Sequence, residues 1–269
     1  MMAQFSDIIS DLESWKQVCE SIFLAFVRIA AHEHVMANFY FKTNFQCNFY
    51  FSFWTTFQGK AVIIQGKAGF FCSGGDLTTV KRIETHEGGR QMGVVMQESL
   101  NRLQKLSMIT LAVIEGKAIG GGAEITTACD FRLMTPSAEI GFVHIKLAIT
   151  AGWGGGSRLV QLIGASRALQ LMASGERLSA QDALGCGLIN GILDDAILQD
   201  PDDVLSKARL WLDPYIQGPT ETLRAVKAIV DSARRLPLDE ALQQELEIFS
   251  TTWGGAAHKQ ALSRNVKHK

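Results

Sequence analysis

Residues 109–134 read ITLAVIEGKAIGGGAEITTACDFRLM. Ile109–Glu115 has the length and composition of a strand and runs into the glycine-rich loop Gly116–Gly122. A helix is expected to start at about Gly122. Asp130–Met134 then supplies a further short strand. Strands alternating with helices predict an α/β domain with a largely parallel sheet.

The flanks extend the same pattern. Upstream, Ala61–Gln65 is a short buried strand closed by Gly66, followed by the loop Gly69–Gly75. Met92, Val95, Met96, Leu100 and Leu103 recur three or four apart, which predicts a helix over 90–106. Downstream, helices are expected at Gly154–Ile163, Arg167–Ala173 and Ala180–Leu184, the last capped by Ser179, before a strand at Leu188–Leu193. The tail from about Asp202 reads as helices Leu205–Leu212, Thr220–Arg234 and Leu238–Thr251. Pro219 fits a first turn, and Gly254-Gly255 stop the last helix.

Bulk properties remove several functions. The chain has 269 residues, 47% hydrophobic, and 26 Lys plus Arg against 27 Asp plus Glu. A net charge of -1 lacks the basic footprint of a nucleic-acid binder. Apolar runs such as Ile22–Val27 are far shorter than the roughly 20 residues of a membrane span. Residues 1–14 contain no Lys or Arg, so no secretory or mitochondrial signal is expected. The cysteines Cys19, Cys47, Cys72, Cys129 and Cys186 are scattered without metal spacing, which predicts reduced thiols in the cytosol and no metal site.

Three loops are placed to carry chemistry. Phe71-Cys72-Ser73-Gly74-Gly75-Asp76-Leu77 follows a strand, and its glycines allow a ligand close to backbone N–H groups. Gly120-Gly121-Gly122-Ala123-Glu124 lies between a strand and a helix, where free N–H groups and the helix dipole favour developing negative charge. Glu124 falls in that first turn. The third loop runs from Gly141-Phe142-Val143-His144 to Gly152-Trp153-Gly154, with one ionisable ring and one large aromatic. Each also has a bland reading: an ordinary capped turn, dipole complementarity, a structural histidine, a packed tryptophan.

Taken in order, FCSGGDL (71–77), IEGKAIGGGAEITTACDFRLMTP (114–136), GFVHIKLAITAGWGGGSRLVQLIG (141–164) and SGERLSAQDALGCGLIN (174–190) resemble the crotonase (enoyl-CoA hydratase/isomerase) superfamily. The resemblance implies a crotonase-like ββα spiral core with a C-terminal helical region that builds a homotrimer or hexamer. It implies an acyl-CoA substrate, no metal, and no cofactor beyond the CoA of that substrate. The blocks TTACDFRLMTP, FVH, WGG and TTWGGAA (251–257) are most similar to a decarboxylating branch that handles short branched malonyl-CoA thioesters, ethylmalonyl-CoA and methylmalonyl-CoA, as metabolite proofreading. By motif position, the oxyanion-hole N–H groups fall on Ser73 and Gly121. Ser73, Gly74, Gly75, Asp76, Gly120 and Trp153 line the substrate path, Trp153 as an apolar wall that keeps water from the enolate. Glu124 and His144 occupy the acid/base slots, where family hydratases carry two Glu residues. Losing one carboxylate argues against hydration, because two are used to position the water. Which of Glu124 and His144 delivers the proton stays open. A hydratase or isomerase using Glu124 alone and a non-catalytic crotonase-fold protein are the alternatives.

The resemblance starts at Gly59. Residues 1–17 are similar to a helix that lies inside family members, so the strand normally before it is expected to be missing. Residues 18–58 have no counterpart and are expected to lie outside the folded core, an aromatic strand pair being the alternative. Ten of the fifteen Phe lie in residues 1–57, whereas every Pro lies at or after Pro136. Joining Gln17 to Gly59 restores the family spacing, so a translated intron and an internal start are the expected origin of this segment. The expected organisation is 1–17 displaced helix, 18–58 insertion, 59–200 acyl-CoA core and 201–269 helical region.

Overall fold

A computed structural model describes residues 36–41, 49–55, 59–66, 69–75, 77–193 and 201–264. Its first strands are β1 (Met36–Phe41), β2 (Phe49–Thr55) and β3 (Ala61–Gln65). Helices α1 (Leu77–Arg82) and α2 (His86–Gln104) lead to β4 (Ile109–Ile114). β5 (Lys117–Ile119), α3 (Gly121–Thr126), β6 (Phe131–Met134) and β7 (Glu139–Gly141) follow. After a 3-10 turn at Val143–Leu147 come α4 (Gly155–Ile163), α5 (Ala165–Ser174), β8 (Arg177–Ser179), α6 (Ala180–Gly185) and β9 (Gly191–Ile192). The C-terminal helices are α7 (Pro201–Leu212), α8 (Thr220–Arg235), α9 (Leu238–Thr252) and α10 (Ala256–Ser263).

The larger sheet has the order β1-β2-β3-β4-β6-β9, and β3, β4, β6 and β9 run parallel as expected. Both faces of the parallel part are buried, which is why β3 and β4 read as continuous apolar runs. Val62, Ile64, Ala112 and Ile114 join the main core with Met96 and Leu100 of α2. Their neighbours Ala61, Ile63, Leu111 and Val113 face Val204, Leu205, Ala208 and Leu212 of α7. The period of two in the strands thus sorts alternate residues into two cores. Among the described residues no helix is long and apolar enough to cross a membrane.

Several boundaries differ from expectation. The loop expected at Gly116–Gly122 contains β5, which pairs with β7 in a second sheet of order β5-β7-β8. Leu188–Leu193 keeps only two residues in strand form, because β9 meets β6 at only two positions. Pro219 lies one residue before α8 rather than inside its first turn. Gly254, at φ 73°, stops α9 as read, but α9 is not the last helix, since Gly255 is the extended N-cap of α10. Ser179 caps α6 as read, its side chain accepting the Asp182 N–H. Of residues 18–58, β1 and β2 pair antiparallel with each other, and β2 pairs antiparallel with β3. This is the aromatic strand pair, and it satisfies the otherwise open edge of β3 with a stretch of high β propensity. The helix expected at 1–17 lies outside the described residues.

One buried ion pair fastens the C-terminal helices to the sheet. Lys227 of α8 donates from Nζ to Asp130 Oδ2 at 2.7 Å and to the Met108 carbonyl at 2.6 Å. The same Oδ2 accepts from the Thr110 N–H at 2.7 Å and the Thr110 hydroxyl at 2.9 Å. Lys227→Met leaves the carboxylate buried without its cation and is expected to cost about 3–5 kcal/mol. Urea unfolding measures this, and adding Asp130→Asn should recover part of the loss. An unchanged midpoint in the single variant rules out the fastening role.

Candidate functional site

Residues Phe71–Gly74 are drawn along β5 by strand-like hydrogen bonds. Phe71 N donates to the Glu115 carbonyl and Cys72 N to that of Lys117, both at 3.0 Å, while Ile119 N donates to Cys72 at 2.9 Å. Just beyond this zipper, the N–H groups of Ser73 and Gly121 have no acceptor among the described residues. They sit on facing segments, because a Cβ added to Gly74 would lie 3.2 Å from the Gly121 nitrogen. Two N–H groups left unpaired at the end of a strand and the start of a helix are free to donate to a negatively charged oxygen.

The glycine triplet has a separate reason at each position. Gly120 adopts φ 58°, which lets the chain leave β5 and enter α3. Any Cβ at Gly121 would run into the Trp153 indole, and any at Gly122 into the Cys72 carbonyl. The helix start is thereby pressed against both walls of the site.

Glu124, on the first turn of α3, is only 1% exposed. Its Oε2 accepts from Trp153 N and Gly155 N, each at 2.8 Å, and its Oε1 from Gly152 N at 3.4 Å. Gly155 is the first residue of α4, so the carboxylate also sits at a helix N-terminus. His144, in the 3-10 turn, places Nε2 3.0 Å from Glu124 Oε1. Its Nδ1 is buried and has no partner among the described residues. Nε2 is therefore the ring nitrogen that faces the pair and the glycine triplet; a Cβ on Gly120 would lie 4.0 Å from it.

Trp153 is 4% exposed and lies between the two glycine loops. Its ring packs on Gly121, and its Cζ2 lies 4.0 Å from a Cβ placed on Gly75. The fold thus brings Gly74, Gly75, Gly120, Gly121, Glu124, His144 and Trp153 together, with Ser73 exposed beside Gly74. Asp76 lies outside the described residues.

Two features carry no sequence motif. The first is the ring of backbone donors from Gly152, Trp153 and Gly155 around Glu124. The second is Arg158 on α4, 7% exposed, which donates to the Trp153 carbonyl at 3.2 Å, Asn101 Oδ1 at 3.0 Å and Gln104 Oε1 at 3.4 Å. Burial pulls its guanidinium below the usual arginine range, and the attraction of Glu124 opposes that pull. A positively charged residue two positions after a run of glycines at a helix start is its only signal in the sequence.

Comparison with known proteins gives a consistent answer. The chain is 48% identical over 212 residues to an ethylmalonyl-CoA decarboxylase from Xenopus tropicalis, covering 79% of this chain and 70% of that one. It is 47% identical over 210 residues to the Gallus gallus protein of the same name, covering 78% and 70%. Among solved structures, an enoyl-CoA hydratase from Bacillus anthracis superposes with a TM-score of 0.68 at 29% identity, covering 77% of this chain and 78% of that one. One from Thermoplasma volcanium GSS1 superposes at 0.69 and 27%, covering 78% and 81%. The family of enoyl-CoA hydratases and isomerases matches residues 50–267, a span that opens within β2, ahead of Gly59. With the match running through both sheets, the site and the C-terminal helices, the chain belongs to the enoyl-CoA hydratase/isomerase family.

Proposed function

We propose that the chain is an acyl-CoA decarboxylase that removes CO2 from a short branched malonyl-CoA thioester, ethylmalonyl-CoA and also methylmalonyl-CoA. The observation that carries this reading is the pairing of two acceptor-less N–H groups, on Ser73 and Gly121, with a single carboxylate whose oxygens are already occupied. The names of the relatives from Xenopus tropicalis and Gallus gallus support it independently.

The bond between Cα and the substrate carboxylate breaks, CO2 leaves, and the electron pair passes into the thioester as an enolate. The Ser73 and Gly121 N–H groups receive the charge that builds on the thioester oxygen, each contributing about 2.7–4 kcal/mol. Trp153 presents an apolar face beside Gly121, which disfavours a charged substituent there and favours its loss as neutral CO2. Cα then takes a proton. Glu124 faces donors on both oxygens and has no proton of its own to give. The imidazolium form of His144 delivers the Nε2 proton to Cα and is left as the neutral ring, and Glu124, which meets that ring at Oε1, balances its positive charge until the transfer. A site with one occupied carboxylate lacks the second carboxylate that hydration uses to position water.

The accompanying expectations are a metabolite-proofreading role in the cytosol and no cofactor beyond the CoA of the substrate. A homotrimer or hexamer formed through the C-terminal helices is the expected assembly. Leu238, Leu242, Leu246, Phe249 and Trp253 expose apolar surface along α9 and its end, which supports association through that region.

Incubation with ethylmalonyl-CoA in D2O tests the reading. The expected result is CO2 and butyryl-CoA carrying one deuterium at Cα; methylmalonyl-CoA should give propionyl-CoA likewise. No CO2 from either substrate, together with hydration of crotonyl-CoA, would overturn it in favour of a hydratase.

A further inference from the structure

We propose that Arg158 is a positioning residue: anchored by α2, its guanidinium holds the Trp153 carbonyl, fixes the donor loop around Glu124, and through Glu124 sets the His144 ring. The inference rests on the proton-handling role given above to Glu124 and His144.

The chain of contacts is continuous. Asn101 and Gln104 lie three residues apart on α2, a spacing that puts both on one helix face. They accept from Arg158 at 3.0 and 3.4 Å. Arg158 in turn donates to the Trp153 carbonyl at 3.2 Å. A Cβ placed on Gly154, which has φ 83°, would lie 3.1 Å from Arg158 Nη1, so the guanidinium also rests against the turn itself. The residues on either side of that turn, Trp153 and Gly155, both donate to Glu124 Oε2. Glu124 Oε1 then meets His144 Nε2 at 3.0 Å.

The charges agree with the geometry. Every acceptor of the Arg158 side chain just named is neutral, so its hydrogen bonds supply no counter-charge. The negative charge that attracts it is Glu124, on the far side of the loop. A buried cation and a buried carboxylate are thus separated by a glycine turn that hydrogen-bonds to both. Neither can move without breaking contacts of the loop they share. Simple core filling would need neither the fork of donors nor the charge.

The test uses the full chain with ring-15N-histidine labelling, the His144 signal being assigned by its loss in His144→Gln. Arg158→Gln is expected to shift the His144 Nε2 resonance and to lower kcat on ethylmalonyl-CoA by about 10²-fold, the cost of a misplaced reacting group. KM should stay within about threefold, as for an interaction felt mainly in the transition state. Arg158→Lys keeps the charge but not the fork and should fall between wild type and Gln. If Arg158→Gln fails to fold, Asn101→Ala with Gln104→Ala removes the anchor and should move the same resonance. An unmoved His144 signal in every folded variant overturns the inference. A shifted signal in a protein that releases no CO2 retains the positioning role and sinks the decarboxylase reading instead.

Discussion

Gly121→Pro is expected to lower decarboxylation about 10²–10³-fold further than Gly121→Ala does, the loss associated with one oxyanion donor. Gly121 is the first residue of α3, and proline is tolerated at a first helical position because the N–H it removes has no intrahelical acceptor. Here that N–H is the one assigned to the thioester oxygen. Proline alone would be a poor probe, since any Cβ at this position meets the Trp153 indole. Alanine brings the same Cβ and keeps the N–H. The difference between the two variants therefore isolates the hydrogen-bond donor from the displacement of Trp153. The comparison is made on kcat with ethylmalonyl-CoA, with butyryl-CoA affinity by calorimetry as a check on ground-state binding. Equal rates for the two variants would remove Gly121 N–H from the oxyanion site and leave it as a packing position.

The glycine triplet and Glu124 are legible together, because a strand, a glycine run and a helix with an acid in its first turn leave a residue-level trace. His144 is legible for the same reason, as a residue type standing in a recognisable block. The cradle of Glu124 is not, because it is made of main-chain N–H groups that no side chain announces. Arg158 escapes too: it is buried by the packing of α2 against α4, which pairs residues more than fifty positions apart.

The fold divides along similar lines. β3 and β4 are visible because burial on both faces makes them uninterrupted apolar runs. β5 is not, since Lys117-Ala118-Ile119 is too short to show a period and its strand character comes from pairing with Glu139–Gly141. β1 and β2 show the opposite problem. Their aromatic composition suits a strand, but only pairing, β1 on β2 and β2 on β3, gives them a register. α10 was hidden behind two glycines that resemble a stop, whereas Gly255 starts the next helix.

Glu124→Gln is expected to be the most damaging single change in the acid/base pair, costing about 10²–10⁴-fold in Cα protonation. The reason lies in the number of donors that meet the carboxylate. Oε2 receives two N–H groups at 2.8 Å, and Oε1 receives Gly152 N and faces His144 Nε2. An amide has one oxygen and one NH2. With NH2 toward Trp153 and Gly155, a donor faces two donors. With NH2 toward His144, the ring must accept at Nε2 and carry its proton on Nδ1. A ring held in that form has no proton to give at Nε2, and the amide offers no negative charge to a ring protonated on both nitrogens. The first orientation is expected to cost about 1–3 kcal/mol of stability as well. His144→Gln separates the two effects, because it removes the proton source while leaving the backbone donors of Glu124 in place. It should release CO2 yet protonate the enolate from solvent, seen as loss of stereospecific deuterium in D2O, with a smaller fall in unfolding midpoint than Glu124→Gln. Stereospecific labelling that survives in His144→Gln at wild-type rate would return the proton-donor role to another group and leave Glu124 with the cradle alone.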